Sequence, residues 1–255
     1  MRHISRMQAA LQAALIHLLG CIGIGLLAAV LVFGLWYPFP YRELSGGREL
    51  FLLVISADIV CGPLLTLVLF SPTKRREVLL RELGIVIAIQ LLALSYGLWS
   101  VWQARPLFLV AEVDRFKVVA AANVDSASLR NLPASLQPSW LLGPRVVAIR
   151  EPLDNKEREK VLIEAAQGGR DYAERPEFYS PYQGEIITKT TRRAKPLVVF
   201  LQKQPSQWAE AQKLAKEKNI EITQWFYLPI VARQDWVAIV DNLGQIQGFL
   251  KGDGF

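Results

Sequence analysis

Hydrophobic positions divide this chain into two parts with different periodicity. Before Gln103 three long apolar stretches dominate. Residues 11–36 and 83–102 carry no formal charge, and in residues 49–70 only Asp58 interrupts after the leading Glu49. Each stretch is long enough to cross a hydrocarbon core of about 30 Å as a helix. Trp36 and Tyr37 close the first stretch and Trp99 and Trp102 close the third, where interfacial aromatics anchor. The first begins after Arg2 and Arg6, as a signal peptide would. Its apolar run is too long for one, however, and lacks a small-residue cleavage site. The pattern predicts three transmembrane helices within residues 1–103.

Beyond Gln103 the apolar runs shorten and polar residues interleave. Residues 107–113 and 116–120 are short β-rich runs separated by Asp114-Arg115, and read as a tight hairpin or a single bulged strand. Asp125-Ser126 suits the start of a short helix, and Pro133, Pro138 and Pro144 mark an irregular connection. Residues 145–150 read as a strand. Residues 154–167 read as a helix, with Asp154 and Glu157 in capping-box spacing, Val161, Leu162, Ala165 and Ala166 as its apolar face, and Gly168-Gly169 as its stop. Residues 183–194 and 206–218 suit helices, the second with Ser206 as N-cap and Asn219 as stop. Residues 220–231, 236–241 and 245–250 suit strands, the last two joined by Asn242-Leu243-Gly244. The fold expected is a membrane protein: three transmembrane α-helices (residues 1–103) followed by a small α+β periplasmic domain (residues 104–255). No internal repeat is visible.

The side of that domain follows from loop charge. Arg2 and Arg6 in the tail, and Lys74, Arg75, Arg76 and Arg81 in the second loop, outweigh Arg42 and Arg48 in the first loop. The positive-inside bias makes the tail and second loop cytoplasmic. In a bacterial inner membrane the domain after Gln103 is then periplasmic. Cys21 and Cys61 both lie in apolar stretches, so the exported domain carries no thiol for a disulfide.

Polar residues inside the spans are the first candidate site. Asp58 sits about 18 Å from the cytoplasmic end of its helix, level with Ser95 and Tyr96; His17 and Gln90 share a second level at about 10 Å. Matched depth suggests the pairs Asp58 with Ser95 or Tyr96, and His17 with Gln90. Asp58 reads either as a seat for a partner helix or a proton, or as a neutral residue holding the bundle together. Pro63 is expected to loosen the turn before it. Gly20, Gly23 and Gly25 allow close helix approach.

Composition narrows the chemistry. The chain has 255 residues, 52% hydrophobic and 20% charged, with a mean hydropathy of +0.24 and net charge +6. Residues 1–103 hold 8 basic and 5 acidic side chains, and the rest 21 and 18, so each part carries +3. That mixed surface does not suit nucleic acid. The only histidines are His3 and His17, so the C-terminal part holds no Ser-His or Cys-His nucleophile and no histidine-ligated zinc. No Walker A, GxGxxG or HExxH motif occurs. Glu112 and Asp114 alternate as acids on one strand face would, or Asp114-Arg115 forms a turn with a local salt bridge. No enzyme, cofactor or metal site is expected. The loop of residues 175–182, with Arg175, Tyr179 and Tyr182, has the residue types enriched at protein interfaces, or else packs its own aromatics.

Several segments carry a resemblance. Residues 36–50 (WYPFPYRELSGGREL), Asp58 with Gly62-Pro63-Leu64-Leu65-Thr66-Leu67, Gln103-Ala104-Arg105-Pro106 followed by Glu112-Val113-Asp114-Arg115-Phe116, Arg175-Pro176-Glu177-Phe178-Tyr179, and the closing Gly248-Phe249-Leu250 with Asp253-Gly254-Phe255 resemble the type IV pilin accessory proteins of the TfpX/TfpZ family. The resemblance implies an inner-membrane protein that helps a cognate type IV pilin assemble, without catalytic residues. The implied partners are the major pilin, the pilus assembly machinery and membrane lipid. Candidate contact residues are Arg42, Glu43, Asp58, Pro63, Asp114, Arg115, Tyr179 and Tyr182, with the loop 42–48 linking the membrane and domain surfaces. Two rival expectations are a membrane enzyme using Asp58 or Glu112, and a sensor or transporter subunit.

Overall fold

The computed structural model describes residues 6–139 and 143–255, with only the backbone at Lys160 and Ala165. Arg2 and His3 lie outside the described residues. The chain divides into two compact units: the first holds the apolar helices, and the second joins residues Tyr37–Gly46 to Ala104–Phe255.

The first unit contains α1 (Arg6–Leu31), continued by a π-helical turn Val32–Trp36. A short helix α2 (Tyr41–Leu44) then belongs to the second unit, before α3 (Gly47–Leu69) and α4 (Arg76–Gln103) complete the first. Helices spanning Arg6–Trp36, Gly47–Leu69 and Arg76–Gln103 are each long and apolar enough to cross a membrane. They start earlier than the apolar stretches, and Glu49 in the first turn of α3 and Glu77 in that of α4 suit the positive end of each helix. α3 packs along both α1 and α4. The buried positions of α4 (Val86, Gln90, Leu94, Gly97, Val101) recur three or four residues apart, and those of α1 (Ala10, Ala14, Gly25, Ala28) at intervals of four, eleven and three, so each helix offers one seam. Small residues set the spacing. Ile55 touches the site where Gly25 would carry a Cβ, and Val54 fills the equivalent site at Gly97. α3 continues through Pro63 rather than ending there.

In the second unit the strands are β1 (Pro106–Ala111), β2 (Phe116–Ala120), β3 (Arg145–Ile149), β4 (Tyr179–Pro181), β5 (Lys195–Pro196), β6 (Phe226–Val231), β7 (Trp236–Val240) and β8 (Ile246–Lys251). Among the described residues they form one mixed sheet in the order β4-β3-β1-β2-β6-β7-β8, with β5 against β6. The expected hairpin is β1–β2, antiparallel, while β1–β3 and β2–β6 are parallel. All six residues of β1 are buried, since both faces of this central strand are covered.

Besides α2, the helices of this unit among the described residues are α5 (Ser126–Arg130), α6 (Asn155–Ala166), α7 (Glu185–Thr191), α8 (Leu197–Lys203) and α9 (Trp208–Lys218). Asp125 caps α5, accepting from the Ser128 N–H at 2.9 Å. At α6 the Glu157 N–H donates to Asp154, as the spacing predicts, but the Glu157 carboxylate accepts from the Leu153 N–H rather than from Asp154. Of the expected apolar face of α6, Val161 is buried, while Leu162 is exposed. Ser206 is not the cap of α9: a 3-10 turn, Pro205–Gln207, runs straight into that helix and puts Ser206 inside a turn. Asn219 ends α9 in the left-handed conformation. The strand expected from residue 220 starts only at Phe226, after a 3-10 turn at Ile222–Gln224. α8 falls in a stretch where no element is expected from the local pattern. Its Leu197, Phe200 and Leu201 recur at helical spacing and are fully buried.

Alternation along the strands sends side chains to two faces. On one, Phe108, Val110, Val119 and Val147 meet Val124, Leu132 and Leu136, while farther along Tyr227, Val237, Ile239 and Leu250 meet α8 and α9. On the other lie Leu109, Ala111, Phe116, Ala148, Leu228, Ile230, Trp236, Ala238 and Val240. The cover of that second face is the most informative feature of the unit.

Candidate functional site

Part of the cover comes from far upstream. Tyr41 and Leu44, on the short helix between the first two apolar helices, belong to the core of the second sheet face, and Leu44 is fully buried. Residues 37–46 form a strap across the sheet. The Tyr41 ring meets Phe249 edge-on at 6.0 Å, and the Phe39 ring meets Trp236 at 6.2 Å. The Gln234 N–H donates to the Leu44 carbonyl at 3.1 Å. Gly46 turns away at φ +73°, with the Arg233 side chain against its Cα. Tyr37 is buried beside Arg105. Burial pushes the Tyr37 hydroxyl well above its ordinary range and pulls the Arg105 guanidinium down to about 10.

The strap also carries two expected contact residues. Arg42 lies over the Phe39 ring at 5.7 Å and 4.0 Å from Glu43. Phe39 is exposed, so the outer side of the strap presents an aromatic ring beside a cation. Phe39, Arg233, Gln234 and Trp236 were absent from the sequence-derived candidates. Only the density of aromatics in residues 36–41 hinted that this loop is structured.

Asp114 and Arg115 occupy the turn after β1. β1 ends at Ala111, so Glu112 and Asp114 do not alternate on a strand. Both carboxylates gather on Arg115, at 3.7 and 2.8 Å, and its guanidinium lies over Phe255 at 5.3 Å. The hydrogen bond from Arg115 holds the Asp114 carboxyl below its usual value, while burial, with Asp171 adding to it, pushes Glu112 up. These acids are held within the turn.

Tyr179 and Tyr182 both pack and hydrogen-bond within the sheet domain. Tyr179 is buried against Phe108 and donates to the Ala173 carbonyl at 2.6 Å. Tyr182 is half-buried against Phe116 and donates to the Gly244 carbonyl at 2.8 Å. Both rings sit on strand β4 or just after it, where the sheet needs apolar cover, and the hydroxyls find carbonyls instead of a partner. Arg175 is likewise engaged, by Glu164 at 2.5 Å and the Arg170 carbonyl at 3.0 Å.

In the first unit the depth-matched pairs do not form. His17 Nδ1 lies 2.5 Å from Thr66 Oγ1, and Gln90 Nε2 donates to the Asp58 carbonyl at 3.1 Å with Cys21 Sγ at 3.8 Å. Ser95 instead donates to the Leu91 carbonyl of its own helix, and Tyr96 is exposed beside Trp99. Depth fixes a level, but rotation about the helix axis decides which side chains meet. Pro63 is half-buried one residue beyond Gly62, whose bare Cα accommodates the Gln90 amide. Among the described residues no group of three His, Cys, Asp or Glu could hold a metal ion.

The profile of the fimbrial assembly protein FimB family matches residues 5–46, which end with the strap. Two fimbrial assembly proteins of Dichelobacter nodosus, of serogroups I and E1, are each 31% identical over 243 residues, 94% of both chains. A third, of serogroups C1 and C2, is 38% identical over 109 residues, 43% of this chain and 83% of that one. No solved structure shows significant similarity. Similarity over nearly the full length of two such proteins, with the family profile falling on the first helix and the strap, means that the chain belongs to the fimbrial assembly protein family.

Proposed function

We propose that this protein is an inner-membrane accessory factor, of the TfpX/TfpZ kind, that holds a cognate type IV pilin before its assembly into pili. The single observation that carries this reading is full-length similarity to proteins named for fimbrial assembly. The architecture suits the task. A pilin-like subunit waiting in a membrane has an apolar stem and a folded head. Three apolar helices with exposed outer faces suit the stem, and a sheet domain with the Phe39–Arg42 surface suits the head. Nothing in the turn around Glu112 favours catalysis.

The strap also bears on topology. Residues 37–46 and 104–255 fold together, so they lie on one side of the membrane, and α3 with α4 supplies the two crossings between them. Loop charge places that side in the periplasm, with the N-terminus cytoplasmic. Partners of this reading are the major pilin, the assembly machinery and membrane lipid. Gene deletion and complementation test it. Loss of surface pili with a retained pilin pool, restored by the gene, is expected, together with a photo-crosslink from position 39 to pilin. Unchanged pili on deletion would refute it.

A further inference from the structure

The mid-span polar cluster is incompletely satisfied from within. Gln90 is only 8% exposed, yet its Oε1 has no hydrogen-bond partner, while its Nε2 serves the Asp58 carbonyl and approaches Cys21. Asp58 stands beside it and interacts with the side chains of Gln90 and of His17, whose Nδ1 meets Thr66. With Asp58 ionised the cluster therefore holds more acceptors than donors: a carboxylate, the Asp58 carbonyl and the Gln90 amide oxygen, against the Gln90 amide nitrogen.

Nor do the three helices enclose it. Asp58 remains partly exposed on α3, on a helix whose Leu53, Val60 and Leu64 point outward for lipid. In hydrocarbon no water can complete such a group, so a polar side chain left at this depth is costly unless another helix supplies its partner. The Asp58 carboxyl is the open member of the cluster, and Gln90 is held behind it in the space above Gly62.

We propose that Asp58, backed by Gln90, is a mid-span seat for a hydrogen-bond donor, an amide or ammonium group, on a membrane-spanning helix of the subunit this protein handles. This rests on the reading of the bundle as a seat for a subunit's stem, and it adds the chemistry the stem must present. A carboxylate-bearing helix is disfavoured at this position, because acceptor would meet acceptor.

The test uses the full chain in lipid nanodiscs and synthetic leucine–alanine transmembrane peptides with a central Asn, Lys, Leu or Glu, read by energy transfer. The Asn and Lys peptides are expected to associate about tenfold more tightly than the Leu peptide, as one interhelical hydrogen bond of ordinary strength in lipid allows. The Glu peptide shows no gain. Asp58→Leu and Gln90→Leu remove the preference; Asp58→Asn, which keeps the shape, weakens it and serves if Asp58→Leu does not fold. Equal affinities for all four peptides overturn the proposal, as does a preference that survives Asp58→Leu. So does an infrared carbonyl band of a protonated Asp58 that stays unchanged on binding, since the residue's own proton would then complete the cluster. A pilin crosslink at position 39 without peptide preference defeats the seat and spares the assembly role. Peptide preference without any pilin crosslink does the reverse.

Discussion

The backbone N–H of Gln234 donates to the carbonyl of Leu44 at 3.1 Å, joining the turn between β6 and β7 to a loop far upstream, between the first two apolar helices. Beneath that bond the Leu44 side chain is fully buried among Leu109, Phe116, Leu228 and Trp236. A connection between two membrane helices is thus an element of the sheet domain's core.

Leu44→Ala should leave a cavity on the second sheet face and destabilise the domain by about 3 kcal/mol. Denaturant unfolding of the full chain in detergent, followed by Trp fluorescence, measures it. Leu243→Ala, at a side chain that is 69% exposed, should change little.

Residues 104–255 alone should expose the face that Tyr41 and Leu44 cover. That fragment is expected to be far more sensitive to protease than the same domain in the full chain. Adding residues 37–46 through a flexible linker should restore resistance. Equal resistance of both fragments would show that the strap is dispensable.

Gly46→Ala places a Cβ at φ +73° and against Arg233. The left-handed backbone alone costs about 1–2 kcal/mol. Arg233→Ala should relieve the contact but not the backbone cost, so the double variant should recover only part of the loss in a double-mutant cycle.

Tyr182→Phe deletes the hydrogen bond to the Gly244 carbonyl and should cost about 1 kcal/mol of stability. Burial raises this hydroxyl to about 12, consistent with a core position. Pilin crosslinking should be unaffected, whereas a surface contact residue would reduce it.

Glu157 is held down to about 2 by its hydrogen bonds from Arg150 and the Leu153 N–H, against an ordinary value of 4.5. A depressed carboxylate stabilises the fold above its unfolded value, and that contribution disappears as pH falls from about 4.5 towards 2. Glu157→Gln should flatten this part of the acid limb in a stability–pH profile, by a small amount because the pair is solvent-accessible.

Local patterns carried much of the fold. The β1–β2 hairpin, α6 between Asp154 and Gly168, the stop at Asn219 and the β7–β8 hairpin all follow from turn chemistry and periodicity within a few residues. Where the local pattern failed, packing overrode it. Residues 197–203, where no element is expected from the local pattern, form α8, because Leu197, Phe200 and Leu201 together cover the face of β6 and β7. Ser206 resembles a cap, but Pro205 had already begun the turn.

The candidate site was legible in part. Arg42, Glu43, Asp114 and Arg115 lie on the surface, while Tyr179 and Tyr182 turned inward to fill the sheet. Tyrosines in a loop look alike in sequence whether their rings face a partner or a core. Only the neighbouring strands decide.

By itself the sequence determined the three apolar spans, the loop-charge asymmetry and the thiol-free C-terminal part, because hydropathy, charge and residue content are properties of consecutive residues. The tertiary structure decided that residues 37–46 belong to the sheet domain, that His17 meets Thr66 and that Gln90 meets Asp58. Such pairings depend on helix rotation and on contacts between residues far apart in the chain, and neither is written in any local pattern.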